Sequence, residues 1–132
     1  MIVLGQIVLF TQNKMRLTSF LSDLFDLEID NSRDSIRLVN EDLSFLIIER
    51  EEKLNNQGTL MLDFFVSSLD ELHQIKDKYQ FLNYRQNSLS TDGTALGLST
   101  QPIEIKEAGD MSFFFFTDPD QRRWKVSYLG PQ

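Results

Sequence analysis

Gln6 to Leu27 reads QIVLFTQNKMRLTSFLSDLFDL, and Met61 to Leu82 reads MLDFFVSSLDELHQIKDKYQFL. Superposed without a gap, at an offset of 55, they put Gln6 on Met61, Leu17 on Leu72, Phe20 on Ile75, Leu24 on Tyr79 and Leu27 on Leu82. Each stretch begins with the alternation of a half-buried strand and passes a polar turn, Gln12-Asn13-Lys14 or Ser67-Ser68. Apolar residues at helical spacing follow: Leu17, Phe20, Leu21 and Leu24 in the first, Leu69, Leu72, Ile75 and Tyr79 in the second. An apolar register shared through strand, turn and helix marks an internal repeat.

Three strands are predicted after the first helix, at Leu27 to Asp30, Ser35 to Val39 and Leu43 to Arg50, with Asn31-Ser32 and Asn40-Glu41-Asp42 as turns. After the second helix and a polar stretch, Ser90 to Gln101, the predicted strands are Ile103 to Lys106, Met111 to Thr117 and Arg123 to Leu129. The charged, amide-rich EEKLNNQG at 51–58 has linker composition. The expected fold is therefore α+β: a first βαβββ module at 1–52, a linker at 53–58 and a second module at 59–132, together one compact domain. Strand alternation sharpens this picture. Leu62, Phe64 and Val66 share one face and Met61, Asp63 and Phe65 the other; Trp124, Val126 and Tyr128 oppose Arg123, Lys125 and Ser127. Two such sheets, with helices outside, are expected to form a cupped mixed sheet around a partly polar cavity.

Composition excludes several functions. Thirteen Lys and Arg stand against 20 Asp and Glu, for a net charge of -7 and no cysteine. No disulfide framework or thiolate metal site can form, and neither nucleic acid nor an anionic membrane is an expected partner. MIVLGQIVLF at 1–10 lacks a basic leading region and a small-residue cleavage site and is read as a strand. No apolar run reaches the roughly 18 residues of a membrane span, so a cytoplasmic protein is expected.

The two modules, the segment Val66-Ser67-Ser68-Leu69-Asp70-Glu71-Leu72, and the closing Phe116-Thr117-Asp118-Pro119-Asp120-Gln121-Arg122-Arg123-Trp124 resemble the vicinal oxygen chelate superfamily, which includes glyoxalase I, extradiol dioxygenases, fosfomycin-resistance enzymes and bleomycin-resistance proteins. Gln121 stands where the family usually has Gly. The resemblance implies a homodimer, and a divalent metal held at places that fall here on Gln6, Glu49, Met61 and Lys125. Family enzymes carry His or a carboxylate there, and only Glu49 conforms. A lone carboxylate anchors a divalent ion poorly and an ammonium repels it, so no metal and no other cofactor is expected. His73 reads as a solvated helix residue, and Asp118 and Asp120 as turn chemistry. Phe113 to Phe116 reads as a buried strand, some of whose rings can floor the cavity.

The expected function is metal-free binding of a small organic ligand in the cavity, of the drug-sequestration type. The expected ligand-binding residues are Gln6, Phe10, Glu49, Met61, Asp63, Phe65, Lys125 and Ser127. With Glu49 and Asp63 outnumbering Lys125 beside Phe10 and Phe65, a cationic aromatic ligand is expected. The alternative is a lyase, isomerase or dioxygenase of the same superfamily, working through Glu49 and Lys125 or through a metal site elsewhere in the chain. A third possibility is a structural or regulatory module that does not use its cavity.

Overall fold

A computed structural model describes residues 1–2, 5–32, 35–52, 61–88 and 103–130, with 86–88 described by backbone alone. The predicted linker at 53–58 and the polar stretch at 90–101 lie outside the described residues. The chain divides into two compact units, Met1–Asn55 and Asn56–Gln132, and each is described by itself.

The first unit runs β1 (Ile7–Thr11), α1 (Lys14–Phe25), β2 (Glu28–Asp30), β3 (Ile36–Val39) and β4 (Ser44–Glu49). Its sheet has the order β1-β4-β3-β2. β1 lies parallel to β4, with Val8 opposite Leu46 and Thr11 opposite Glu49, while the remaining pairs are antiparallel. Parallel neighbours cannot be joined by a tight turn, so α1 leaves β1 and packs across β3 and β4. Leu9, Leu38, Phe45 and Ile47 meet Leu17, Leu21 and Leu24 in a core almost closed to solvent. α1 starts at Asn13, whose side chain accepts the Arg16 N–H, and stops at Asp26 in the left-handed region, φ 54°.

The second unit repeats the order: β5 (Leu62–Phe65), α2 (Leu69–Ser88), β6 (Lys106–Ala108), β7 (Met111–Thr117) and β8 (Arg123–Leu129), in a sheet β5-β8-β7-β6. β5 is parallel to β8, Leu62 opposite Trp124 and Asp63 opposite Lys125. Leu72, Tyr79, Phe114, Trp124 and Val126 are fully buried, and Phe116 stacks on Trp124 at 5.8 Å and 14°. The repeated positions carry the cores of both units: Leu17 and Leu72, and Leu24 and Tyr79, are all at 0% exposure.

Two boundaries differ from the sequence reading. α2 has 20 residues against 12 in α1 and continues past Leu82. Asp26 tolerates the left-handed stop, whereas the matching position holds Phe81, whose bulk disfavours it. The third strand from the end was expected at Ile103 to Lys106 and lies at Lys106–Ala108. Gly109, at φ 61°, makes the turn into β7, so pairing runs back from Ala108 opposite Met111 to Lys106 opposite Phe113.

The turn between β7 and β8 is held by one buried carboxylate. Asp118 Oδ1 accepts the backbone N–H groups of Asp120 and Arg122, at 2.9 and 3.0 Å. Its Oδ2 accepts the Trp124 indole N–H at 2.9 Å and the Arg122 guanidinium at 2.6 Å. Burial pushes the Asp118 carboxyl above its ordinary value of 3.8, against the Arg122 charge and the Trp124 hydrogen bond, which pull it down. The folded chain thus holds a proton here at a pH where the unfolded chain has released it. Stability from this group is greatest below 3.8 and falls as pH rises through the raised value, a slope that Asp118→Asn should remove in urea titrations across pH. Asp118→Ala should cost about 3–5 kcal/mol, because the buried indole N–H and the guanidinium both lose their acceptor.

Gln121 occupies this turn at φ 67° and donates its backbone N–H to the Asp118 carbonyl at 2.9 Å. A side chain in the left-handed region is strained, so Gln121→Gly should raise stability by about 0.5–1 kcal/mol, read from the urea midpoint.

Candidate functional site

Each sheet has a second face, turned away from its helix. In the first unit this face carries Gln6, Val8 and Phe10 from β1 and its approach, with Ser44, Leu46 and Ile48 from β4. Ser44 donates to Gln6 Oε1 at 3.4 Å, and the Arg50 guanidinium sits 3.9 Å from the Phe10 ring centre. Beside Leu46, β3 adds Arg37, which donates to Ser44 Oγ at 3.1 Å and lies 3.9 Å from Asp30 of β2.

Glu49 is not on this face. It pairs with Thr11, which is fully buried on the helix side, and its Oε1 accepts the Lys14 backbone N–H at 2.9 Å. That bond satisfies one of the free donors at the start of α1 and places a negative charge at the positive end of the helix. Strand pairing corrects the sequence register. Val8 stands opposite Leu46 as Asp63 stands opposite Lys125, so the first-unit counterpart of Lys125 is Leu46, three residues before Glu49.

In the second unit the open face is charged and aromatic. Met61, Asp63 and Phe65 share it with Lys125 and Ser127. Lys125 Nζ lies 3.3 Å from Asp63 Oδ2, and the buried Ser127 donates its hydroxyl to Asp63 Oδ1 at 2.9 Å. Lys125 Nζ also lies 3.6 Å from Met111 Sδ and 4.8 Å from the Phe113 ring centre. Beside it, Arg123 covers Phe115 at 4.2 Å, with Lys106 at 5.9 Å from the same ring.

Five of the eight expected residues, Met61, Asp63, Phe65, Lys125 and Ser127, are thus brought onto one face of one sheet. Gln6 and Phe10 lie on the matching face of the first unit, and Glu49 lies on neither. Sequence reasoning missed Lys106, Met111 and the split of the phenylalanine run: Phe114 and Phe116 enter the core, while Phe113 and Phe115 lie under the cations. The alternation of β7 carried that signal, but four identical residues in a row conceal their period. Among the described residues paired in its strands, the open face of the second sheet holds one carboxylate, Asp63, against Lys106, Arg123 and Lys125.

No protein-family model matches the chain, and no curated protein matches it in sequence. The fosfomycin resistance protein FosX of Listeria monocytogenes superposes with TM-score 0.70 at 17% identity, covering 97% of this chain and 93% of that one. FosX of Mesorhizobium loti gives 0.69 at 18%, over 97% and 93%. The hypothetical protein SA1046 of S. aureus gives 0.71 at 16%, over 97% and 95%. FosX belongs to the vicinal oxygen chelate superfamily. This chain has the vicinal oxygen chelate fold. Among the described residues no helix is long and apolar enough to cross a membrane.

The residues at the four places implied for a metal do not fit one. Gln6 and Met61 offer an amide and a thioether, Glu49 is committed to the start of α1, and Lys125 is a cation paired with Asp63. No group of three or more His, Cys, Asp or Glu that could hold a metal ion occurs among the described residues. His73 is exposed on α2, and Asp118 is committed to its turn. Glu49→Ala should lower stability by about 0.5–1 kcal/mol, the value of a first-turn cap, in urea unfolding followed by helical circular dichroism.

Proposed function

We propose that the chain is a cytoplasmic, homodimeric protein of the vicinal oxygen chelate fold that binds a small organic ligand without a divalent metal, in the manner of drug-sequestering resistance proteins. The observation that carries this reading is the Asp63–Lys125 pair, which puts an ammonium where the resemblance implies a metal-binding His or carboxylate, flanked by the exposed Met61 and Phe65. One FosX structure from Listeria monocytogenes holds Mn(II) with 1S,2S-dihydroxypropylphosphonic acid. That structure contains both a cation and an organic acid. Here the cation of the site is supplied by a side chain.

The open face of the second sheet supports the reading because it combines fixed charge with exposed apolar area, the usual makeup of a small-molecule site. The alternative through Glu49 and Lys125 is less well supported, since Glu49 lies on the helix side of its sheet and accepts the Lys14 N–H.

Elemental analysis of the purified protein should find less than stoichiometric divalent metal. Added Mn, Ni or Zn should leave its thermal midpoint in place, because only an ion bound by the folded state stabilises it by mass action. About one metal per chain, removed by a chelator with a fall in the midpoint, would refute the metal-free reading.

A further inference from the structure

Asp63 sits on a face whose other charged residues, among those described and paired in its strands, are Lys106, Arg123 and Lys125. One carboxylate there takes the Lys125 ammonium at 3.3 Å on one oxygen and the Ser127 hydroxyl at 2.9 Å on the other. The arrangement is half-buried, with the Lys125 side chain 16% and the Asp63 side chain 31% exposed. Lys125 also meets Met111 Sδ at 3.6 Å and the Phe113 ring at 4.8 Å, so Asp63 is not the sole contact of its ammonium. Arg123, braced on Phe115, lies two residues earlier on the same strand face. Asp63 is the more exposed member of the pair and the easier one to displace.

We infer that the Asp63–Lys125 pair is the resting state of an organic-carboxylate site, in which Asp63 is an internal competitor that an incoming carboxylate displaces from Lys125. The inference rests on the ligand-binding reading above and deepens it. The ligand's carboxylate takes over the Lys125 ammonium, with Arg123 as a second cation, and its apolar part lies against Phe65 and Met61, which are 59% and 44% exposed. Charge complementarity selects this class. Lys106, Arg123 and Lys125 against Asp63 leave the face with an excess of two positive charges within a chain of net charge -7. A cationic ligand would have to approach three cations to reach one carboxylate that is already paired.

The competitor role has a consequence that a merely structural pair does not share: removing Asp63 should strengthen binding. The test is calorimetric titration of the full chain with three probes of matched shape, benzoate, benzyl alcohol and benzylammonium. Benzoate should bind about tenfold or more tighter than benzylammonium, and added NaCl should narrow the gap. Asp63→Asn should tighten benzoate by about three- to tenfold, while Lys125→Met should weaken it by about tenfold. Benzylammonium binding as well as benzoate or better, or Asp63→Asn weakening or not changing benzoate, overturns the inference and leaves the ligand-binding reading standing. Failure of all three probes overturns both. Should Asp63→Asn not fold, as judged by circular dichroism, Asp63→Ser takes its place. If neither variant folds, the wild-type order of the three probes and its response to salt decide.

Discussion

In each unit the first strand runs parallel to the last, and the rest of the structure depends on that pairing. A parallel neighbour can be reached only by a crossover, so the helix must pass over the sheet and cover one face. Leu17, Leu21 and Leu24 in one unit, and Leu72 and Tyr79 in the other, are buried by this crossover. The other face stays free of helix, and the period of two along each strand decides which side chains it receives. A slip of β5 by one residue against β8 would send Asp63 into the aromatic core, away from Lys125, and turn Leu62 and Phe64 out.

The two units use one backbone plan for different surfaces. Where the first sheet sets Val8 beside Leu46, the second sets Asp63 beside Lys125. A half-buried ion pair costs desolvation of both partners and returns little net stability, so its presence at the centre of a face suits binding better than folding. The aromatic layer beneath shapes its electrostatics. Phe113 and Phe115 lie under Lys125 and Arg123, at 4.8 and 4.2 Å from their ring centres, which favours keeping both cations on that face.

The β7–β8 turn shows how a local motif becomes a tertiary device. Asp118, Pro119 and Asp120 read as turn residues, and they are. Yet the Asp118 carboxylate also reaches the Trp124 indole, six residues on, so the turn and the largest core side chain hold each other. Gln121 bears the strain of the same turn in the left-handed region, where a glycine would be unstrained.

Periodicity and local chemistry in the amino-acid sequence determined the order of the elements, the repeat at an offset of 55, the core positions Leu17, Leu24, Leu72 and Tyr79, and the sharing of a strand face by Asp63 and Phe65 and of another by Lys125 and Ser127. These depend on i+2, i+3 and i+4 relations within a segment, which the chain itself carries. Three things were decided only by tertiary structure. Glu49 went to the start of α1, because which residue of β4 stands opposite Thr11 is set by strand pairing 38 residues apart in sequence. Phe113 and Phe115 were separated from Phe114 and Phe116 by the register of β7 on β8. The sign of the open face followed from both, since charge on a surface is a sum over strands distant in sequence, and no local pattern records which of them will be neighbours.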